Sequence, residues 1–434
     1  MLYKYSLYNN IVNTNDESGN VYIWNTKSGA IVSLEEDIYK LISDNIFENQ
    51  LIKPLINDLL VQGIIVPAQL NEFNQICFVQ KQIQYSTNYD TLNLIIAPTL
   101  QCNYRCVYCF EESQTQKTIM SSEIIENIVT FVERYISHIT SVKRLEISWF
   151  GGEPLMAYHT AMYPLGKKLI ELSKKHGISF NSKITTNGFY LEDGVIESIV
   201  DELKVSSFQI TFDGTCENYC LRKGVSVVAY EKVKRNLFSL SQYLAKQNSK
   251  AHISLRINVD NDNIEDAKAL VREIKSDDQF NDNIHFYLGR LMGYCGDLNY
   301  MSLEEYEQSE MEFCSFMGTI IKPKEPKKIW CGQFAMNNLC IGPNGEIYKC
   351  EHDFGYSDRT IGHVLSGVFY NERMIEFLEQ PYPAECKKCS VFPICLGGCP
   401  SARFSNKKHM NCEYTTRYLV RLVEQYIENG RRKN

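Results

Sequence analysis

No stretch of this 434-residue chain approaches the roughly 18 consecutive apolar residues of a membrane-spanning helix, so a helical membrane protein is not expected. The opening MLYKYSLYNN lacks the basic-then-apolar pattern of a secretory signal, and a cytoplasmic location is expected. Positive charge is also short. The 45 Lys and Arg against 52 Asp and Glu leave a net charge of −7, and the basic clusters are brief, Lys322–Lys328 and Arg431–Lys433. Phosphate binding wants clustered cations, so no nucleic-acid partner is expected. Cysteine, by contrast, is abundant at 16 residues. Thiols in a cytoplasmic protein stay reduced, which leaves metal or cluster ligation as the better use for them than disulfides.

The chain is long enough for two to four domains. Residues 1–70 read as a small α+β module. Tyr3–Asn9, Val21–Trp24 and Ala30–Val32 are short strand-like runs, a first helix carries Ile38, Leu41, Ile42 and Ile46, and a second covers roughly Gln50–Val61. This order fits a winged-helix-like peptide-recognition module, followed by a polar linker over 71–90. From 91 to 300 the pattern is strand then helix, repeated. Candidate strands are Leu92–Ala97, Leu145–Phe150, Phe180–Thr185, Ser207–Phe212, Ile253–Val259 and Ile284–Leu288, with amphipathic helices such as Ser122–Ile136, Met162–Lys175 and Ile264–Ile274 between them. Repeated βα units imply parallel strands, and six are too few for a closed eight-fold barrel. The expected fold is therefore α/β, a partial (β/α)6 TIM-like barrel, with its chemistry at the strand C-termini. A helical connection over 301–330 leads to 331–434, where periodicity fades and cysteines and glycines dominate, as in a region folded around metal.

The strongest local signal is Gln101–Glu112, QCNYRCVYCFEE, directly after the first barrel strand. Cys102, Cys106 and Cys109 are spaced Cys-x3-Cys-x2-Cys, with no fourth cysteine nearby. A cubic iron–sulfur cluster normally takes four cysteines, so three leave one iron open to a non-protein ligand. The alternative is a zinc knuckle or three buried thiols, but zinc motifs pair two C-x2-4-C or C/H units and no partner follows at that distance. Further strand ends carry polar signatures. Gly151-Gly152-Glu153 offers close backbone approach and an acceptor for an ammonium group. Thr186 and Asn187 suit a ribose, and Thr211 and Asn258 again put polar side chains at strand ends. Taken alone, each could be an ordinary turn or helix cap.

Together these motifs resemble the radical S-adenosylmethionine superfamily. The resemblance implies that Cys102, Cys106 and Cys109 bind a [4Fe–4S] cluster whose open iron is chelated by S-adenosylmethionine. Gly151, Gly152 and Glu153 would hold its amino end, and Tyr108 would lie near adenine. Thr186, Asn187, Thr211, Arg222 and Asn258 would contact ribose or carboxylate. A 5′-deoxyadenosyl radical would then abstract hydrogen from the substrate. One departure is visible: after the Asp-Gly turn this chain has Tyr219-Cys220 where relatives often carry His.

The C-terminal cysteine order resembles the SPASM extension of such enzymes, which implies two auxiliary [4Fe–4S] clusters. One would use Cys331, Cys350 and Cys399, with Cys340 as its natural fourth ligand, and the other Cys386, Cys389, Cys395 and Cys412. If Cys340 pointed elsewhere, the first cluster would keep an open site. Glu351 occupies the position at which sulfatase-maturing relatives carry a base, an Asp. The remaining Cys77, Cys216, Cys220, Cys295 and Cys314 are expected as buried small hydrophobes. With the N-terminal module, the resemblance points to maturases of ribosomally made peptides, whose leader adds to a sheet edge. It also implies an electron donor such as flavodoxin or ferredoxin. Thioether cross-linking from a cysteine sulfur to carbon is the first expectation. Carbon–carbon cross-linking, epimerisation and formylglycine formation on sulfatases follow, and a non-catalytic electron-transfer protein is the rival class.

Overall fold

The computed structural model describes residues 2–13, 19–111, 118–247, 249–291, 298–405 and 412–432. Cys295 and Lys433 lie outside them. The chain forms two compact units, one from residues 1–85, 302–334 and 379–434, the other from 86–301 and 335–378.

The first unit contains strands β1 (Tyr3–Tyr5), β2 (Asn9–Val12), β3 (Asn20–Asn25), β4 (Ile31–Glu35) and β5 (Ile65–Pro67). β2, β3 and β4 form an antiparallel sheet in that order, and β1 pairs with β5. Side chains alternate across β3. Ile23 enters a core with Ile42, Ile52, Leu59 and Ile65, while its neighbour Trp24 enters another with Met311, Leu419, Leu422 and Val423. The second core joins the sheet to helices Leu303–Phe316 and Thr416–Arg432. Glu307, buried, accepts from both the amide and the hydroxyl of Thr415 (2.6 Å each) and so fixes where the last helix begins.

Three expectations for this unit change. The helix expected over Gln50–Val61 is a single 3-10 turn, Lys53–Leu55, followed by Ile56–Val61, because Pro54 has no amide to donate inside a longer helix. The segment expected as a linker carries helix Glu72–Gln84, started by Asn71 accepting from the Asn74 amide. Its polarity misleads because polar residues make the buried contacts. Glu72 accepts from the Ser6 hydroxyl (2.7 Å) and the Leu7 amide (2.9 Å), and Gln80 accepts from the Tyr382 hydroxyl. Finally, residues 331–434 are not one compact body, since 335–378 fold with the barrel strands.

The second unit is built on a ten-stranded sheet. Strands β6 (Thr91–Ile96), β7 (Arg144–Trp149), β8 (Ser179–Thr186), β9 (Val205–Thr211), β10 (His252–Val259) and β11 (Ile284–Arg290) run parallel in sequence order. All six match the expected strands to within two residues at either end. The sheet does not close on itself: the other neighbour of β6 is β12 (Asn338–Ile341), which also runs parallel to it. β13 (Glu346–Tyr348), β14 (Gly362–His363) and β15 (Gly367–Val368) continue outward, antiparallel. Thus a segment expected to be irregular extends the barrel sheet. Outward-facing Leu92, Leu94, Ile147, Ile184, Phe208, Ile210, Leu255 and Ile257 are buried under the helices, while the inward face is polar.

Candidate functional site at the barrel rim

A cavity of about 640 Å3 opens at the C-terminal ends of the parallel strands. Cys102, Cys106, Tyr108 and Cys109 line it together with Gly151, Gly152, Thr186, Asn187, Thr211, Asn258 and Glu351, so most of the residues singled out from the sequence converge here. Burial pushes the Cys102 and Cys109 thiols up to about 12 and raises Cys106 as well. Such thiols stay protonated unless a metal takes the proton's place. Among the described residues no three His, Cys, Asp or Glu side chains converge on one ion position. A cubane asks for no such convergence, because each cysteine binds a separate iron.

The glycine pair is approached closely by backbone. A Cβ on Gly151 would lie 2.4 Å from the Thr99 carbonyl oxygen, and one on Gly152 would lie 2.3 Å from that of Gln101. Gly151 also has φ +108°, open to glycine but costly for other residues. The close approach is therefore by the backbone leading into the cysteine loop. The amides of Gly152 and Glu153 donate to Thr99 O (3.3 Å) and Gln101 O (2.8 Å). Glu153 stands behind this turn, fully buried. Its carboxylate accepts from the Thr186 hydroxyl (2.8 Å) and from the amides of Asn187 (2.8 Å) and Leu155 (3.1 Å). Burial pushes it up to about 7 against those three donors. A carboxylate has about four acceptor positions, so three donors leave one unused, although Glu153 has no exposed surface and is not among the residues lining the cavity. The Asn187 amide reaches both Asn103 Oδ1 (2.8 Å) and Cys102 Sγ (3.9 Å), which ties the third strand end to the loop.

On the other side the loop is held by helix Cys216–Lys223. The amides of Arg105 and Val107 donate to the carbonyls of Lys223 (3.1 Å) and Arg222 (3.0 Å). Lys223 Nζ, almost fully buried, pairs with Asp213 Oδ2 (3.0 Å) and donates to the Tyr108 hydroxyl (2.6 Å), which in turn donates to Asp213. Arg222 pairs with Asp260 (2.9 Å) and is not among the residues lining the cavity, while its buried Nε and Nη2 have no hydrogen-bond partner among the described residues. Asp213, Lys223 and Asp260 were not singled out beforehand. Asp213 and Lys223 are ten positions apart, but their contacts to Tyr108 span 105 and 115 positions and Arg222–Asp260 spans 38, and only Asp213, in a strand-end Asp-Gly turn, carried a local signal.

Glu351 begins a 3-10 turn, Glu351–Asp353, whose His352 ring stacks on Phe110 (centroids 4.1 Å apart, 15° between planes). This brings a second carboxylate near it. Glu111 is pushed up to about 8, mainly by burial and then by the charge of Glu351. Glu111 lies in the cysteine stretch itself, two residues past Cys109, and could have been picked out there.

The other cysteines are distributed over both units. Cys386, Cys389, Cys395 and Cys412 belong to the first and lie within electrostatic reach of one another, with burial and the neighbouring thiols raising Cys386 to about 12 and Cys412 to about 11. Cys331 and Cys399 belong to the same unit, Cys340 and Cys350 to the second. Cys340 sits in β12, opposite Ile95 of β6, fully buried. Cys77, Cys216, Cys220 and Cys314 are half-buried rather than the buried small hydrophobes expected.

Residues 96–279 match the Radical SAM superfamily. The chain is 23% identical over 380 residues to a serine-type anaerobic sulfatase-maturating enzyme of Bacteroides thetaiotaomicron, covering 76% of this chain and 86% of that one. Its fold is shared with native anSMEcpe solved with bound AdoMet and Cp18Cys peptide (TM-score 0.55, 21% identity, 79% of this chain and 98% of that one). It is shared equally with Streptococcus suis SuiB bound to S-adenosylmethionine (TM-score 0.53, 14% identity, 95% and 98%).

Proposed function

From the premise that this chain is a radical S-adenosylmethionine enzyme, with its radical SAM domain at residues 96–279, we propose that it matures a ribosomally made peptide, joining a cysteine sulfur to a carbon as an intramolecular thioether. The rim residues fit the cofactors this requires. Three desolvated thiols line one cavity, an amide donor reaches one of the sulfurs, and the glycine turn keeps the loop in place. Cys102, Cys106 and Cys109 would hold the cluster, with S-adenosylmethionine received by Gly151, Gly152, Glu153, Thr186, Asn187, Tyr108, Thr211 and Asn258. When bound, that pair supplies one-electron chemistry able to remove a hydrogen atom from carbon. The chain's own contribution is positioning and shielding. Ile95, Phe110, Trp149, Phe150 and Leu291 line the cavity and exclude water, and Glu351 offers a carboxylate to take the proton released on bond formation. Cys386, Cys389, Cys395 and Cys412 would hold an auxiliary cluster. Of the set assigned to a second, Cys340 and Cys350 lie within electrostatic reach of each other, and the inclusion of Cys331 and Cys399 rests on cysteine order. A flavodoxin or ferredoxin would supply the electron.

The observation that carries the peptide reading is the module ahead of the barrel. Its strand β4 pairs only with β3 among the described residues, leaving an edge to which an extended leader can add. The fold likeness to SuiB, also solved with precursor peptide SuiA, extends over 95% of this chain, against 79% for anSMEcpe. A second reading, sulfatase maturation, is favoured by the sequence relatives. Co-expression with a short precursor encoded nearby, followed by mass spectrometry, separates them. Loss of two hydrogens together with one alkylatable thiol per bond supports the thioether. Loss of two hydrogens with the thiol retained indicates a carbon–carbon bond, and formylglycine on a sulfatase peptide supports the second reading.

A further inference from the structure

The cavity is lined by more ammonium and guanidinium groups than carboxylates. Four cations line it, Lys183, Lys223, Arg256 and Arg290, against one carboxylate, Glu351. Lys223 is paired with Asp213. Among the described residues, Lys183, Arg256 and Arg290 have no carboxylate within ion-pair distance. Arg290 makes one long contact, Nη2 to the Met301 carbonyl (3.4 Å), and by register it shares the face of Val259, opposite to that of Arg256.

Arg256 is held in place. Its Nε donates to Asn258 Oδ1 (2.8 Å) and its guanidinium carbon lies 5.9 Å from the centre of the Tyr287 ring, whose hydroxyl donates to Gln209 (2.8 Å). Gly289, on the adjacent strand, makes room for it, since a Cβ there would come within 2.5 Å of Arg256 Nε. A guanidinium fixed by a side-chain acceptor, a ring and a glycine gap, in a partly desolvated cavity, is arranged for an anion. Its planar fork suits a carboxylate.

We infer that Arg256 forms a seat for a carboxylate of the peptide substrate, so that an acidic residue beside the modified position is part of what the enzyme selects. The inference rests on the peptide reading above. The cofactor's own carboxylate is the other source of the same chemistry, and the affinity for S-adenosylmethionine measured below separates the two.

The test uses the reconstituted full chain with S-adenosylmethionine bound, and two probes, acetyl-Ala-Ala-Glu-Ala-Ala-amide and its Gln counterpart. Equilibrium dialysis at low ionic strength should show the Glu peptide bound at least about tenfold more tightly than the Gln peptide, as expected of one charge-assisted pair. Arg256→Gln should reduce that preference toward unity. Equal binding of the two peptides by the wild type, or binding of neither, overturns the seat. A loss of affinity for S-adenosylmethionine in Arg256→Gln as large as the loss for the Glu peptide assigns the seat to the cofactor and overturns the peptide source. Production of 5′-deoxyadenosine by the wild type is measured in parallel without either peptide. Its absence defeats the parent reading, whereas its presence with no Glu preference defeats only the seat.

Discussion

Gly152→Ala tests how the glycine turn supports the cysteine loop. The new Cβ would lie 2.3 Å from Gln101 O, 2.6 Å from Gln101 C and 2.6 Å from Leu100 O, all backbone atoms that cannot turn aside as a side chain would. Overpacking of this kind costs about 1–3 kcal/mol. Against it stands the reduced freedom of alanine in the unfolded chain, about 0.4–1 kcal/mol in favour of the variant. The overlap wins, and its relief must move Gln101, the residue before Cys102. From the middle of each range the net cost is about 1.3 kcal/mol, so the barrel unit should melt about 3–5 °C lower, at about 2–4 °C per kcal/mol for a body of this size. Anaerobic reconstitution should also yield about four fewer irons per chain, one cubane, because the loop can no longer present its three thiols together. The assays are differential scanning calorimetry and iron analysis on the same preparation. A Gly152→Ala protein with full iron content and a melting temperature within about 1 °C of wild type would refute the argument.

Other expectations follow from the site's buried charges. Lys223→Met leaves Asp213 buried without its cation and should cost about 3–5 kcal/mol in denaturant unfolding, with Asp213→Asn added to it recovering part of the loss. Glu153, pushed up to about 7 by burial, binds its proton more tightly folded than unfolded. Stability should therefore fall as pH rises from about 4.5 through about 7, by up to about 3 kcal/mol, and Glu153→Gln should flatten the melting temperature across that window. In the other unit, Cys395→Ala should remove about four irons yet leave reductive cleavage of S-adenosylmethionine in place, as expected if its cluster is separate from the loop's. An equal loss of cleavage would argue against that separation.

The barrel was legible because its strands are continuous apolar or alternating runs, and parallel pairing follows from the βα rhythm alone. The loop cysteines were legible because their spacing is local. What was missed is non-local or too short to carry a period. Asn338–Ile341 is four residues long and buried throughout, so it shows no alternation, and Cys340 within it reads as a ligand before it reads as a strand. Helix Glu72–Gln84 buries Glu72, Gln80 and Gln84, and its polar composition imitates a linker. The Asp213–Lys223–Tyr108 network depends on contacts across 105 and 115 positions, which no window of sequence contains. The glycine pair was recognised as a close-approach signal, but the approaching backbone was known only once the fold brought Thr99–Gln101 beside it.

The central claim is that Cys102, Cys106 and Cys109 present a cluster to S-adenosylmethionine. Its most direct test is anaerobic reconstitution with iron and sulfide, then reduction in the presence of S-adenosylmethionine and chromatography for 5′-deoxyadenosine. The wild type should produce it, and replacing all three cysteines by alanine should abolish it while removing only about four irons. Bound zinc in place of iron, with no 5′-deoxyadenosine from the wild type, would contradict the account.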